Sequence, residues 1–188
     1  MLRIVLVEPQ HPGNIGAVAR VMANFGISDL ALVNGCEVTD DSYARSKSGR
    51  PVLENLKRFE TMKEALADCD IAVATSGIKP KGDKRWFRAP KNVKKINKIL
   101  EDREKPALVF GRENYGLYKE ELALCETTVT ISTNPEYPIL NLSHAVGIVL
   151  YEIKRKVKVK GPKKRKSVSQ EEFERLVDRI MEMLEDSS

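Results

Sequence analysis

Histidine and cysteine are scarce in this chain of 188 residues, which contains two histidines and three cysteines. His11 and His144 lie far apart in the sequence, which excludes a histidine-rich metal site, and no metal requirement is expected. The cysteines are odd in number and form no CxxC pair, a pattern typical of free thiols in a reducing cytosol. The sequence therefore predicts a cytoplasmic protein without a metal.

Long apolar runs are also missing. No stretch approaches the roughly 20 apolar residues that a membrane-spanning helix needs. The mainly apolar residues 2–7, interrupted by Arg3, are too few for a signal sequence and predict a first strand. Neither GxGxxG nor GxxxxGK[ST] occurs, so a standard dinucleotide or triphosphate site is not supported. The apolar content of 41% is nevertheless sufficient for one globular core.

Positive charge is concentrated in two segments, although the net charge is only +5. Residues 79–95 hold eight Lys and Arg with one acid, and residues 154–166 hold nine with none. The first segment also contains Trp86 and Phe87, a mixture suited to phosphates and stacked nucleobases. A solvated basic face is the alternative interpretation. The predicted nucleic-acid contacts are Lys84, Arg85, Trp86, Arg88, Lys163, Lys164 and Arg165.

Short apolar runs alternate with helical patterns along the chain. The predicted strands cover residues 2–7, 30–33, 71–75, 106–110 and 127–131. The predicted helices cover residues 14–25, 61–68, 90–102, 118–125 and 142–153. The polar residues 39–59 are expected to form short helices or loop. This alternation predicts an α/β fold with a mainly parallel, Rossmann-like sheet and helices on both faces.

The main domain is expected to span residues 1–158. A basic linker at residues 159–168, broken by Gly161 and Pro162, separates it from residues 169–188. That last segment opens with the capping-box spacing of Ser169 and Glu172 and continues as an amphipathic helix. We expect the helix either to dock on the main domain or to begin a second domain that is truncated or small.

Glycines and polar residues cluster where predicted strands end, which is where open α/β sheets bind ligands. Asn14 and Arg20 lie at the head of the first helix, where Gly13 and Gly16 permit close backbone approach. A helix N-terminus favours anions, and the guanidinium of Arg20 matches a phosphate. The alternative is that Asn14 only caps the helix and Arg20 is solvated.

Two later strand ends add further candidates. Glu113 lies between two glycines after an apolar strand, where the alternative is a surface carboxylate paired with Arg112. The loop before residue 142 contains Pro135 and Pro138, which exclude a strand interior, and Asn141 is expected to cap the following helix. The loop predicts either a ligand site at the mouth of a buried helix or merely a capped core helix.

Three ordered motifs carry a resemblance to a known family. They are Asn14-x-Gly-x-x-x-Arg20 with Asn24-Phe-Gly26, then Leu108-Val-Phe-Gly-Arg-Glu-Asn-Tyr-Gly-Leu117, then Leu140-Asn-Leu-Ser-His-Ala-Val146. Together they resemble the signature motifs of the SpoU branch of the SPOUT methyltransferases, over about residues 2–156. Within that branch, the sequence most resembles the tRNA ribose 2′-O-methyltransferases of the anticodon loop.

The resemblance implies a fold, a cofactor and partners. The sheet would carry a C-terminal deep trefoil knot, a rare exception to the rule against knotted chains. The cofactor would be S-adenosyl-L-methionine, the assembly a homodimer, and the substrate a tRNA cytidine or uridine at position 32. The alternatives are ribosomal RNA, another tRNA site, or an RNA-binding SPOUT protein without catalysis.

The resemblance also implies roles for individual residues. The catalytic positions would be Arg20, Asn14, Glu113 and Asn141. The cofactor would be bound by Thr75, Ser76, Gly77, Gly111, Ile131, Pro138, Ile139 and Leu140, and RNA by the two basic segments. One position departs from the family, because Ile139 stands where the third motif usually has serine. We expect a mainly backbone role there, which isoleucine can fill.

Overall fold

A computed structural model describes residues 1–77, 89–155 and 170–185 of the chain. The chain divides into two compact units, Met1–Lys156 and Val157–Ser188. The first unit contains seven strands, which are β1 (Arg3–Val7), β2 (Asp29–Val33), β3 (Lys57–Phe59), β4 (Ile71–Thr75), β5 (Lys91–Asn92), β6 (Pro106–Phe110) and β7 (Thr127–Thr130). They form one sheet in the order β3-β2-β1-β6-β4-β7-β5, and every pairing is parallel.

The helices of the first unit are α1 (Pro12–Asn24), α2 (Asp40–Ser46), α3 (Arg50–Glu54), α4 (Met62–Leu66), α5 (Ile96–Ile99), α6 (Lys119–Ala123) and α7 (Leu142–Lys154). Local signals in the sequence set several of their ends. Gly26 follows α1 with φ +68°, a left-handed conformation that glycine adopts without strain. The hydroxyl of Thr61 accepts from the Glu64 amide, so a capping box begins α4, the helix predicted over residues 61–68.

Two edge strands were not predicted. The predicted helix over residues 90–102 is wrong at its start, because β5 pairs with β7 and the Asn92 side chain caps a 3-10 turn, Val93–Lys95, that precedes α5. Strand β3 lies at the opposite edge, and its exposed Lys57 and Arg58 give no alternating apolar pattern. The other five strands are confirmed, and residues 39–59 form the expected short helices before β3.

The core lies on both faces of the sheet. Along β1, Ile4 and Leu6 join one buried cluster and Val5 and Val7 the other, as the two-residue period of a strand requires. Helices α1 and α7 pack in the first cluster and α4 in the second. The predicted α/β fold with helices on both faces is therefore confirmed. Because all strands are parallel, their carboxyl ends meet at one edge.

The second unit contains α8 (Gln170–Glu185), on which Leu176, Ile180 and Met181 are each about half exposed. The predicted linker at residues 159–168 and the start of the capping box at Ser169 lie outside the described residues. None of the described helices is long and apolar enough to span a bilayer. The trefoil knot stays a prediction.

Candidate active site

A cavity of about 250 Å³ opens at the carboxyl edge of the sheet, where β4, β6 and β7 end. Its wall is formed by the segments that follow these three strands and by the first turns of α7. It includes every residue that the sequence assigned to cofactor binding, namely Thr75, Ser76, Gly77, Gly111, Ile131, Pro138, Ile139 and Leu140. The structure therefore brings all eight to one place, and their role in binding stays a prediction.

Main-chain atoms approach closely on one side of the cavity. A Cβ atom added to Gly77 would lie 3.3 Å from the carbonyl oxygen of Pro138, tighter than an ordinary contact. That carbonyl also accepts a hydrogen bond of 3.1 Å from the hydroxyl of Thr133, within the same loop. Ile139 is 42% exposed beside it. A side chain at residue 77 would narrow the cavity, so glycine keeps backbone accessible to a ligand.

The loop after β6 forms the opposite wall as a tight hairpin. Main-chain hydrogen bonds run in both directions between Arg112 and Gly116, at 3.1 and 2.9 Å. A Cβ atom on Gly111 would lie only 2.2 Å from the carbonyl carbon of Gly116, so this turn requires glycine at residue 111. Glu113 and Tyr115 line the cavity from this loop, and Tyr115 is 67% exposed.

Glu113 is held by the segment that leads into α1. Its carboxylate accepts from the main-chain amides of Gln10 and His11, at 3.0 and 3.3 Å, and from the side-chain amide of Asn14, at 2.7 Å. Acceptance of main-chain amides near a helix N-terminus is favourable for a carboxylate. The alternative prediction, a Glu113 paired with Arg112, is wrong because Arg112 binds two other carboxylates.

Asn141 extends this network across the mouth of the cavity. It caps α7 as predicted, since its Oδ1 accepts from the amide and the hydroxyl of Ser143, at 2.9 and 2.7 Å. Its Nδ2 donates to Oδ1 of Asn14 at 3.0 Å. Three of the four predicted catalytic residues, Asn14, Glu113 and Asn141, are therefore joined in one chain of hydrogen bonds. Ser143, which was not predicted as a site residue, fixes the orientation of the Asn141 side-chain amide at one end of this chain.

Arg112 forms a buried ion cluster beneath the loop. Its Nε lies 2.9 Å from Glu8 Oε2, and its terminal nitrogens lie 3.0 and 2.9 Å from the two carboxylate oxygens of Glu121. The guanidinium also stacks 4.1 Å from the ring centre of Tyr118. The Glu121 carboxylate raises the pKa of the Arg112 guanidinium above its ordinary value, more than burial lowers it. Arg112 is therefore a fixed cation.

Arg20, the fourth predicted catalytic residue, makes no hydrogen bond with the other three. It is exposed on α1, and no carboxylate in the described part of the chain pairs with it. The sequence suggested that the glycines of α1 allow a ligand to approach the backbone, but α2 occupies that space. A Cβ atom on Gly16 would lie 2.1 Å from the Ser42 carbonyl oxygen, and one on Gly13 would lie 2.4 Å from Asp41 Oδ2. The two glycines instead let α1 pack tightly on α2.

The predicted nucleic-acid contacts in the two basic segments lie outside the described residues. Sequence reasoning missed two exposed aromatic side chains, Tyr115 on the cavity wall and Tyr137 in the loop before α7, which are 67% and 79% exposed. Their positions in the sequence could have identified them, since Tyr115 lies within the second motif and Tyr137 lies in the loop between Pro135 and Pro138. Within the described ranges, no group of three His, Cys, Asp or Glu is placed to hold a metal.

The arrangement suits a group transfer between a bound cofactor and a polar acceptor. The cavity offers main-chain atoms and apolar side chains, including Leu140 and Leu142, which fit an uncharged ring system. Beside it, Glu113 and two asparagines hold fixed donors and acceptors. Such an array can orient a hydroxyl group, because its two amides and its carboxylate offer both donors and acceptors.

Comparison with known sequences gives consistent matches. The profile of the SpoU rRNA Methylase family matches residues 1–151. The tRNA (cytidine-2′-O-)-methyltransferase TrmJ of Methanocaldococcus jannaschii is 42% identical over 155 residues, which cover 81% of this chain and 67% of that protein. The tRNA (cytidine/uridine-2′-O-)-methyltransferase TrmJ of Escherichia coli K12 is 39% identical over 155 residues, covering 81% and 62%. The match thus spans about two thirds of the length of these relatives.

Solved structures share the fold. TrmJ from Z. mobilis superimposes with a TM-score of 0.74 at 32% identity, covering 100% of this chain and 81% of that one. A structure described as giving insights into 2-OH methylation of C/U34 on tRNA superimposes with a TM-score of 0.66 at 26% identity, covering 84% and 96%.

Proposed function

Because this chain belongs to the SpoU methylase family, we propose that it transfers a methyl group from S-adenosylmethionine to a ribose 2′-hydroxyl of tRNA. The observation that carries the proposal is the hydrogen-bonded chain of Asn141, Asn14 and Glu113 at the mouth of the cavity. The tRNA relatives at 42% and 39% identity support the substrate class.

The cofactor would lie in the cavity at the carboxyl edge of the sheet, where it supplies an electrophilic methyl group on a sulfonium. Gly77, Gly111 and the main chain at Pro138 would receive it, since glycine leaves backbone groups open at the first two positions. Ile131 and Leu140 would cover its ring system. Thr75 and Ser76 would complete the wall, and Ile139 would contribute backbone.

Arg20 would act on the RNA rather than on the cofactor. A ribose hydroxyl is a poor nucleophile until its proton is displaced, and the methyl must be attacked in line. An arginine does not give up its proton in proteins, so Arg20 would bind the adjacent phosphate and stabilise the developing alkoxide, while the hydroxyl proton leaves to solvent and the thioether S-adenosylhomocysteine is the leaving group. Asn14 and Asn141 would orient the ribose, and Glu113 would hold Asn14.

The nucleotide would be a cytidine or uridine of the anticodon loop, at position 32. Position 34 is the alternative that one structural neighbour's description favours. Lys84, Arg85, Trp86, Arg88, Lys163, Lys164 and Arg165 would hold the RNA backbone and stack on bases, so tRNA affinity should fall steeply as salt increases. A nearly flat dependence of affinity on salt would contradict this part of the proposal.

The protein would act in the cytoplasm as a homodimer. Ile148 is 36% exposed and Tyr151 is 56% exposed on α7, so this helix carries apolar side chains that a second copy would cover. Sedimentation of the full chain measures this directly, and a monomer at micromolar concentration would contradict it.

Arg20→Ala tests the catalytic assignment. We expect methyl transfer to tRNA to be abolished while the calorimetric Kd for S-adenosylmethionine stays near the wild-type value. Arg45→Ala is the matched control, because Arg45 is also an exposed helical arginine and pairs only with Asp41 among the described residues. Retained turnover in Arg20→Ala would remove the role of Arg20. A wild type that binds no cofactor and methylates no tRNA would remove the proposed function.

A further inference from the structure

We propose that Arg112 is a positioning residue that couples the cofactor cavity to the hydrogen-bonded network around Glu113, an inference that rests on the proposed function. Arg112 is one of the residues that line the cavity, but it is buried and makes no hydrogen bond within that network. Its side chain is 5% exposed and lies between the side chains of Glu8, which is 46% exposed, and Glu121, which is 16% exposed.

The side chain of Arg112 connects three separate segments. Through Glu8 it holds the end of β1, and through Glu121 it holds the start of α6. It also donates to the carbonyl oxygen of Gly116 at 3.3 Å, inside its own hairpin. A guanidinium has a planar fork that can satisfy several acceptors at once, which an ammonium cannot do in the same geometry.

The Glu8 end of the cluster controls the groups that hold Glu113. Glu8 has φ +45°, an unfavourable conformation for a residue with a side chain, and the chain turns there toward Gln10 and His11. The amides of these two residues bind the Glu113 carboxylate. The same guanidinium that fixes the turn at Glu8 therefore also fixes the hairpin that carries Glu113.

The hairpin end of the cluster controls the cavity wall. Gly111, Tyr115 and Leu117 of the hairpin all line the cavity. The ring of Tyr118 lies against the guanidinium, and its main-chain amide donates to Glu121 at 2.7 Å. Losing the hydrogen bonds of the guanidinium would therefore displace two features together. One is the cavity wall that receives the cofactor, and the other is the Glu113 carboxylate that orders Asn14.

Arg112→Lys is the first test, because it keeps the charge and removes the fork. We expect the KM for S-adenosylmethionine to rise and kcat per folded site to fall, each by about tenfold, the effect of losing one charge-assisted hydrogen bond. The KM for tRNA should change less than about twofold, because Arg112 is buried. A merely structural role would lower the melting temperature and leave both constants per folded site unchanged.

Arg50→Lys is the matched control. Arg50 pairs with Glu54 at 2.9 Å and lies 5.1 Å from the ring centre of Tyr43, but its side chain is 65% exposed. It should keep wild-type constants. Glu8→Gln is the second variant, for the case in which Arg112→Lys does not fold. The Glu8 side chain is 46% exposed, and Arg112 keeps its ion pair with Glu121 when Glu8 is neutral. Glu8→Gln should shift the cofactor KM in the same direction.

Two outcomes would overturn the inference. One is Arg112→Lys with wild-type kcat and cofactor KM per folded site, whatever its melting temperature. The other is an unfolded Arg112→Lys together with a Glu8→Gln that has wild-type constants. If the wild type binds the cofactor but transfers no methyl group, the proposed function fails, and the cofactor Kd of the same variants still decides the positioning role.

Discussion

The side-chain amide of Asn141 donates a 3.0 Å hydrogen bond to Oδ1 of Asn14, although the two residues are 127 positions apart. Ser143 occupies the other end of the Asn141 amide, and Glu113 occupies the other end of the Asn14 amide. Each amide therefore has one allowed orientation, and every donor in the series points toward the carboxylate. The proposed reaction centre is a chain of hydrogen bonds with a fixed direction.

Replacing Asn14 by aspartate should break that direction. In Asn14→Asp a carboxylate replaces the donor that lies 2.7 Å from Glu113 Oε1. Two like charges would then face each other, so we expect methyl transfer at pH 8 to fall by about tenfold to a hundredfold. Activity should recover in part as the pH falls, because protonating one carboxyl group restores a donor.

A pH profile of kcat for wild type and Asn14→Asp measures this effect. Asn55→Asp is the control, since Asn55 donates to the Pro51 carbonyl oxygen on an exposed turn and has no carboxylate partner among the described residues. It should follow the wild-type profile. An Asn14→Asp profile parallel to that of the wild type would show that the amide donor does not matter.

Gly16→Ala should destabilise the protein by roughly 1–3 kcal/mol, because its Cβ would overlap the Ser42 carbonyl oxygen at 2.1 Å. Ser42 cannot retreat freely, since its hydroxyl donates to the Pro12 carbonyl oxygen at 2.8 Å. Gly147→Ala is the matched substitution within α7. Its Cβ would meet Val21 Cγ1 at 3.6 Å, an ordinary contact, and should stabilise by about 0.5–1 kcal/mol.

Urea unfolding of both alanine variants at one protein concentration gives the two free energies of unfolding. Opposite signs are expected for the two changes. Equal changes in the free energy of unfolding for Gly16→Ala and Gly147→Ala would contradict the close contact between α1 and α2.

Ile139→Ser should keep methyl transfer within about threefold of wild type, because the contribution of residue 139 comes from its backbone. The Thr133–Pro138 hydrogen bond and the close approach at Gly77 hold that backbone in place without the side chain. Gly77→Ala should instead raise the cofactor KM, since its Cβ would crowd the Pro138 carbonyl oxygen. Steady-state kinetics of both variants decides. A large gain or loss in Ile139→Ser would assign the side chain a direct role.

Cys125 should react with thiol reagents more slowly than the other cysteines. Burial, reinforced by the Glu126 and Glu121 carboxylates, raises the pKa of its thiol to about 12, so almost none is thiolate at pH 8. Burial also raises the thiol pKa values of Cys36 and Cys69, but less. Timed alkylation with mass spectrometry should label Cys125 last, and all three equally in denaturant. Early labelling of native Cys125 would contradict the raised pKa of its thiol.

Much of the fold could be predicted because the central strands contain unbroken apolar runs. Val5 and Leu108 lie on strands buried on both faces, where four apolar residues follow Arg3 in β1 and Pro106 in β6. The edge strands escaped prediction for the opposite reason. Lys57 and Lys91 begin short strands that pair on one side only, and their side chains are exposed. Hydrogen bonding alone assigns such residues to a sheet.

The location of the candidate site could also be predicted, because parallel strands end at one edge. The contacts within it could not. Arg112 binds Glu8, 104 positions away, and Glu121, nine positions away, whereas the sequence offered only the adjacent Glu113 as its partner. The close approach at the α1 glycines was also misassigned, since Gly16 meets the backbone of Ser42 and Gly13 meets the side chains of Asp41 and Arg45, all on α2.

The position of β6 has a consequence for how the chain folds. This strand pairs with β1 on one side and β4 on the other, although it follows both in the sequence. The strands made first, β1 to β3, can pair with each other, but β4 has no neighbour until β6 or β7 arrives. Closing such long loops is slow. A growing chain therefore cannot assemble its catalytic edge before the ribosome has passed residue 110, and activity should be the last native property to return on refolding.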